Sequence, residues 1–152
     1  MRVKLDQIAT VMTGATLKER PENSPYPDSY LMQLGDLDAR GGLKSSSMLP
    51  FSGLQSYFRF IAKSAGDLVF RGRGAGINVT VIPETDKPII VGSPLIIIRP
   101  DPKKVDSVYL KWAITNSDAY RHYNQHMSGS VIMGIGKQDL DLLEIDLPDL
   151  PT

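Results

Sequence analysis

The sequence predicts an α+β fold: a curled antiparallel sheet or small barrel-like β core, with a helical region toward the C-terminus. Three observations predict it. Residues 57–99 hold five short β-branched or aromatic runs separated by Gly, Pro or Asp, a spacing that leaves no room for the crossover helices of a parallel α/β sheet. Apolar residues then recur at helical spacing from Val105 to Met127. Finally, 152 residues with 41% hydrophobic and 22% charged side chains are the size and make-up of one soluble domain with its own core. Residues 1–152 are therefore read as a single domain.

In chain order, residues 3–12 form a short amphipathic piece, a strand followed by a helical turn. Residues 13–29 carry Pro21, Pro25 and Pro27 among polar residues and read as an exposed loop. Residues 30–34 are a strand, Gly41-Gly42 marks a turn, and residues 43–56 are polar and irregular. The strand-rich middle comprises residues 57–62, 67–71, 78–83, 89–91 and 94–99. Val105, Val108, Trp112 and Ala113 define one helix; Ala119, Tyr120, Tyr123 and Met127 define a second. Asn116-Ser117-Asp118 breaks the two and supplies a new N-cap, and Gly129 stops the second helix. Leu140 and residues 143–147 suggest a turn leading into a final strand.

The composition excludes several classes. There is no cysteine, so disulfides, thiolate metal sites and cysteine nucleophiles are ruled out. No apolar run approaches the ~18–20 residues that span a bilayer, and no apolar signal core follows the basic N-terminal residues. A soluble, cytoplasmic protein is expected. Seventeen basic and seventeen acidic residues cancel, but unevenly. From Arg40 to Arg73 six basic residues face the single acid Asp67, whereas Asp139, Asp141, Glu144, Asp146 and Asp149 have no basic neighbour among them. One face can thus meet phosphate while another is kept from it.

The most pointed segment is Phe70 to Gly76, FRGRGAG. Glycines let backbone approach a partner closely, and arginines offer planar forks that match phosphate or the O6/N7 edge of guanine. It is neither a dinucleotide fingerprint, since β-branched residues follow, nor a Walker A loop, which needs Gly-Lys-Ser/Thr; a solvated hairpin turn is its plainer reading. His122 and His126 lie four apart on a helix but lack a third ligand and a catalytic glutamate, so a solvated or capping role is favoured. Asn23-Ser24-Pro25-Tyr26 is one residue from an amino-methyltransferase motif, yet only 22 residues precede it where a cofactor domain is needed. Glu84 with Asp101 and Lys103 echoes a metal-dependent nuclease, but Pro102 spoils the strand that should present them. Trp112, Tyr120 and Tyr123 fall on the face assigned to the core and are read as packing. No catalytic residue, cofactor or metal site is expected.

Several segments, taken in order, resemble the target-recognition domain of type I restriction-modification specificity subunits. VKLDQIATVMTGAT resembles the opening run that ends in a Thr-Gly turn, and YLMQLGDLD the strand after it, closing in an Asp-containing turn. GDLVFRGRGAGINVTVIPE resembles a strand, Gly-rich turn and returning strand; the stretch from Tyr109 to Pro151 resembles a helix, a Ser-Gly-Ser/Thr turn, a lysine-bearing turn and a terminal Ile-x-Leu-Pro-x-Leu-Pro strand. The resemblance implies a non-catalytic module whose loops and strand ends read double-stranded DNA while partner methyltransferase and restriction subunits act on it. It implies base reading by Arg71 and Arg73 on their glycine turn with Gly72 and Gly74, and by Gln33. Phosphate contacts would come from Lys44, Arg59, Lys63 and Lys137, with Ser128 and Ser130 donating from the turn after the helix. Family subunits carry two such domains, each followed by a long spacer helix. This sequence reaches Thr152 where that helix would begin, so an excised or natural half-unit lacking the spacer is expected. The rival reading is a protein-interaction module that uses its acidic C-terminal strand, with a small metal-dependent nuclease a distant third.

Overall fold

The computed structural model describes residues 1–18, 21, 22, 24–37, 42–44, 47–72, 77–127 and 135–148, with Ser117, His126 and Met127 by backbone alone. Among these residues the strands are β1 (Arg2–Lys4), β2 (Ala9–Thr13), β3 (Ser29–Met32), β4 (Leu49–Phe51), β5 (Ile61–Ala62), β6 (Leu68–Arg71), β7 (Asn78–Val81), β8 (Ile89–Val91), β9 (Ile96–Pro100) and β10 (Glu144–Asp146). The helices are α1 (Leu5–Ile8), α2 (Leu54–Tyr57), α3 (Ser107–Thr115), α4 (Ser117–Met127) and α5 (Lys137–Asp141).

The α+β class holds, and the sheets stay open. A central sheet of order β2-β9-β6-β7 is antiparallel throughout. Side-chain alternation along its strands splits the core in two. Leu68, Phe70, Ile96 and Ile98 pack on one face with helix residues Leu110, Ile114 and Tyr123. Val69 and Ile97 point to the other face and pack against Met32, Ile89 and Val91 of a second sheet. A sheet buried on both faces needs strands that are apolar at every position, which is why the Ile96-Ile97-Ile98 run shows no period of two.

The second sheet has the order β4-β3-β8-β5 and departs from the antiparallel expectation at one pair, β3 and β8, which run parallel. Parallel neighbours require a long crossover, and the chain makes it by passing through β6 and β7 of the central sheet before returning. Residues 57–62 contribute only Ile61 and Ala62 as strand; the rest is helical turn, including a 3-10 turn at Phe58–Phe60. The irregular 43–56 stretch contains β4 and α2, and a second N-terminal strand, β2, follows α1.

Asn116 caps α4, its Oδ1 accepting the Ala119 N–H at 2.9 Å. Tyr123 is fully buried, edge-on to Phe70 at 5.6 Å, and its hydroxyl donates to the Ile114 carbonyl at 2.5 Å. The packing assignment fails for Trp112. The inward face of α3 is Leu110, Ala113 and Ile114, which places Val108 and Trp112 on the opposite side, 75% and 60% exposed. β10 pairs with β1, and the Leu147 N–H donates to the Met1 carbonyl at 2.8 Å. Among the described residues no helix is long and apolar enough to cross a membrane.

Candidate nucleic-acid interface

One end of the two sheets gathers the ends of β2, β3, β6 and β8 and the start of β9. Thr13 and Phe70 both lie opposite Ile96, and Met32 lies opposite Val91. Arg71, the last residue of β6, alternates with Phe70 and so projects on the second-sheet side. There its Nη1 donates to the Leu37 carbonyl at 2.9 Å.

Leu37 follows a 3-10 turn, Leu34–Asp36, that leaves β3. Asp36 is the hub of this turn and is 6% exposed. Its carboxylate accepts the Gln33 N–H at 2.7 Å and the Ser47 hydroxyl at 2.6 Å, and its carbonyl accepts the Lys44 N–H at 2.8 Å. Leu37 and Leu43 form an isolated antiparallel bridge. Gln33, Lys44 and Arg71, far apart in sequence, are thereby tied into one cluster, with the Gln33 and Lys44 residues exposed and Arg71 half-buried. Asp36 itself was missed by sequence reasoning: it sits in a turn that was recognised, but its donors come from residues 33 and 47 and no local pattern announces them.

Gly72 lies just beyond and is buried. Its carbonyl accepts the Ile135 N–H at 3.0 Å, and a Cβ built on it would stand 2.5 Å from the Ile135 carbonyl oxygen. Glycine is required here for close approach of two backbones. Arg73, Gly74, Ser128 and Ser130 fall outside the described residues. By connectivity, residue 73 follows Gly72 and residue 134 precedes Ile135.

The remaining expected contacts separate. Arg59 is exposed on the 3-10 turn that enters β5, which pairs with β8 so that this turn lies toward Val91. Lys137 is exposed on α5, but its ammonium is held by the Asp141 carboxylate at 2.6 Å. Lys63 lies at the opposite end of the sheets, beside the start of β6. Its backbone N–H donates to Asp67 at 2.8 Å. Asp67, 3% exposed, also accepts from Arg99 Nη2 at 2.8 Å and Nε at 3.1 Å. These hydrogen bonds raise the Arg99 pKa above its ordinary value.

The residues of the enzyme-like patterns sit as follows. His122 Nε2 lies 2.8 Å from the Asp139 carbonyl, and the His126 side chain and Asn23 lie outside the described residues. Asp101 Oδ1 accepts the Lys103 N–H at 3.0 Å and so shapes its own turn. No three His, Cys, Asp or Glu side chains gather as a metal site among the described residues.

Fold and cluster together define an α+β module that carries polar and basic side chains on loops at one end of two stacked sheets. No family model and no curated protein matches the sequence. Solved structures share the fold. One is a chain from a structure concerned with complex assembly and conformational transition of the type I R-M system: TM-score 0.63, 20% identity, covering 99% of this chain and 34% of that one. Another is the HsdS subunit from Thermoanaerobacter tengcongensis, with TM-score 0.61, 17% identity and coverage of 97% and 33%. A third is the type I restriction-modification system S subunit from M. genitalium, with TM-score 0.55, 17% identity and coverage of 95% and 33%. The chain therefore matches about a third of each neighbour's length, and at these identities the likeness is one of fold.

Proposed function

We propose that this chain is a non-catalytic module that reads DNA sequence, a target-recognition domain of a type I restriction-modification specificity subunit, and that it directs partner methyltransferase and restriction subunits to a site. The observation that carries the reading is the cluster at the Arg71 end, on a fold shared with specificity subunits. Base reading needs a side chain held in register, and the bond from Arg71 to the Leu37 carbonyl fastens its guanidinium to the turn that follows Gln33. In this proposal Arg71, Arg73 and Gln33 read base edges, while Lys44 and Arg59 grip phosphate. Ser128 and Ser130 add donors from the segment that returns to Ile135.

The test is titration against a broad pool of short duplexes at low salt. Binding should weaken linearly in log salt, with a slope of roughly −0.9 for each phosphate neutralised. Lys44→Ala should weaken all sequences alike and lower the slope by about one. Arg71→Ala should cost about 1–3 kcal/mol on the preferred site and relax discrimination at one base pair. No retention on any duplex, or retention that ignores salt, overturns the reading. So does metal-dependent cleavage that disappears in Asp101→Ala. The protein-interaction reading draws on the exposed Val108 and Trp112 of α3, which packs on acidic β10; it stands alone only if DNA retention is absent.

A further inference from the structure

At the end of the sheets remote from Arg71, a cleft of about 500 Å³ opens between the 63–67 loop, the end of β9 and the start of α3. One buried carboxylate builds its walls. Asp67 takes the Lys63 N–H, which folds the loop so that the exposed Lys63 side chain borders the cleft, and it clamps Arg99 through Nε and Nη2. Gly66 makes the bend possible, with φ at +122°, an angle side chains rarely adopt. The opposite wall is shaped in the same way: Asp101 accepts the Lys103 N–H, and this turn carries Lys103 to the cleft.

Charge is in surplus. Lys63, Arg99, Lys103 and Lys104 line the cleft against Asp67 and Asp106. Asp67 is consumed by Arg99, and Lys104 is occupied by the Gln7 carbonyl at 3.1 Å and by Asp101 at 4.0 Å. The Lys63 and Lys103 ammonium groups and Arg99 Nη1 make no hydrogen bond or ion pair among the described residues. Two point charges on flexible stems and an arginine fixed by a buried acid face one exposed carboxylate in the cleft, Asp106, so positive charge remains in excess there. A tetrahedral dianion can satisfy all three, whereas one carboxylate brings a single charge.

We infer that this cleft is a phosphate-binding site, built by Lys63, Lys103 and Arg99, for the phosphate of a small phosphate ester or of a nucleic-acid backbone. It stands apart from base reading at the Arg71 end and does not require it.

The experiment follows backbone amides of the full ¹⁵N-labelled chain during titration with inorganic phosphate, against sodium chloride at matched ionic strength. Phosphate should shift amides of residues 63–67 and 103–107 saturably. The Lys63→Gln/Lys103→Gln variant, altered only at exposed side chains, should bind about five- to tenfold more weakly, as expected for two partly exposed charge pairs, with an unchanged melting temperature. A short duplex is the second arm. If it moves the same amides and competes with phosphate, the natural ligand is a nucleic-acid backbone. If phosphate alone moves them, it is a free ester. Shifts no larger than those from chloride overturn the proposal, as does an oligoglutamate peptide that saturates these amides where phosphate does not. Loss of duplex binding with phosphate binding intact would remove the DNA reading and leave this site standing.

Discussion

Replacing Asp36 by alanine tests whether the candidate interface is held from within. The carboxylate takes hydrogen bonds from the Gln33 N–H and the Ser47 hydroxyl in a setting where the residue is 6% exposed. A hydrogen bond to a charged group contributes about 1.5–3 kcal/mol, and a donor left buried without a partner costs a similar amount. The Ser47 hydroxyl can fall back on the Lys44 carbonyl at 2.8 Å, so most of the loss comes from the Gln33 N–H. Asp36→Ala should therefore cost about 2–3 kcal/mol, near 5–10 °C in melting temperature for a chain of this size. Asparagine should cost only about 1 kcal/mol, because its oxygen can keep the Gln33 N–H while its amide donates to the Ser47 oxygen. The assay is urea unfolding of both variants, followed by duplex titration well below their midpoints. Alanine should weaken DNA binding more than asparagine does, although neither change removes a group assigned to DNA. Equal stability of the two variants, within about 0.5 kcal/mol, would refute the hub role of Asp36.

Gly72→Ala should destabilise by about 1–3 kcal/mol, since a Cβ 2.5 Å from a backbone carbonyl forces main chain apart; thermal unfolding against Gly35→Ala, where nothing lies within 4 Å, is the control. Trp112, the only tryptophan, should emit as a water-exposed indole and be quenched by iodide, and Trp112→Ala should cost less than about 1 kcal/mol. For Asp28, partial desolvation raises the pKa, but hydrogen bonds from Ser29, Gly53 and Leu54 together outweigh it and hold the carboxyl below its ordinary value. A depressed folded-state pKa stabilises above the unfolded value and loses that contribution as pH falls through the folded one. The advantage of wild type over Asp28→Ala should thus be largest at neutral pH and shrink as pH falls below about 4 in parallel melting curves.

Strands β6, β7 and β9 of the central sheet were legible because they are short, β-branched or apolar and bounded by Gly, Pro or Asp, whereas β2 was hidden in a segment read as a helical turn. Their partners were less so. Nothing local says that Tyr30 lies opposite Ile89 in a parallel pair, because that register is set by a crossover through another layer. The 57–62 run misled for a related reason: aromatic residues suit a strand, but here Phe58 is exposed and Phe60 half-buried on a 3-10 turn. On α3 the periodicity was right and the face was wrong. Val108 and Trp112 repeat at helical spacing as well as Leu110 and Ile114 do, and a helix apolar on two sides does not reveal which side the sheet covers.

The basic stretch from Arg40 to Arg73 shows most clearly what folding adds. As a sequence it is one positive run. In the structure β6 runs through it, so that Asp67 and Arg71 sit at opposite ends of a strand, about 13 Å apart at ~3.3 Å per residue. Lys63 goes with Asp67 and Arg99 to one end; Lys44 and Arg71 go with Asp36 and Leu37 to the other. Each patch is organised by its own buried carboxylate, and the two carboxylates do different work: Asp67 neutralises an arginine, while Asp36 takes the Gln33 N–H and the Ser47 hydroxyl among the described residues, with Lys44 exposed nearby. A summed charge therefore cannot locate a binding face on this chain. What each basic loop is fastened to decides where its charge goes, and at the Arg71 end the backbone N–H groups of Gln33 and Lys44 and the Arg71 guanidinium are all fastened to one turn, residues 36 and 37.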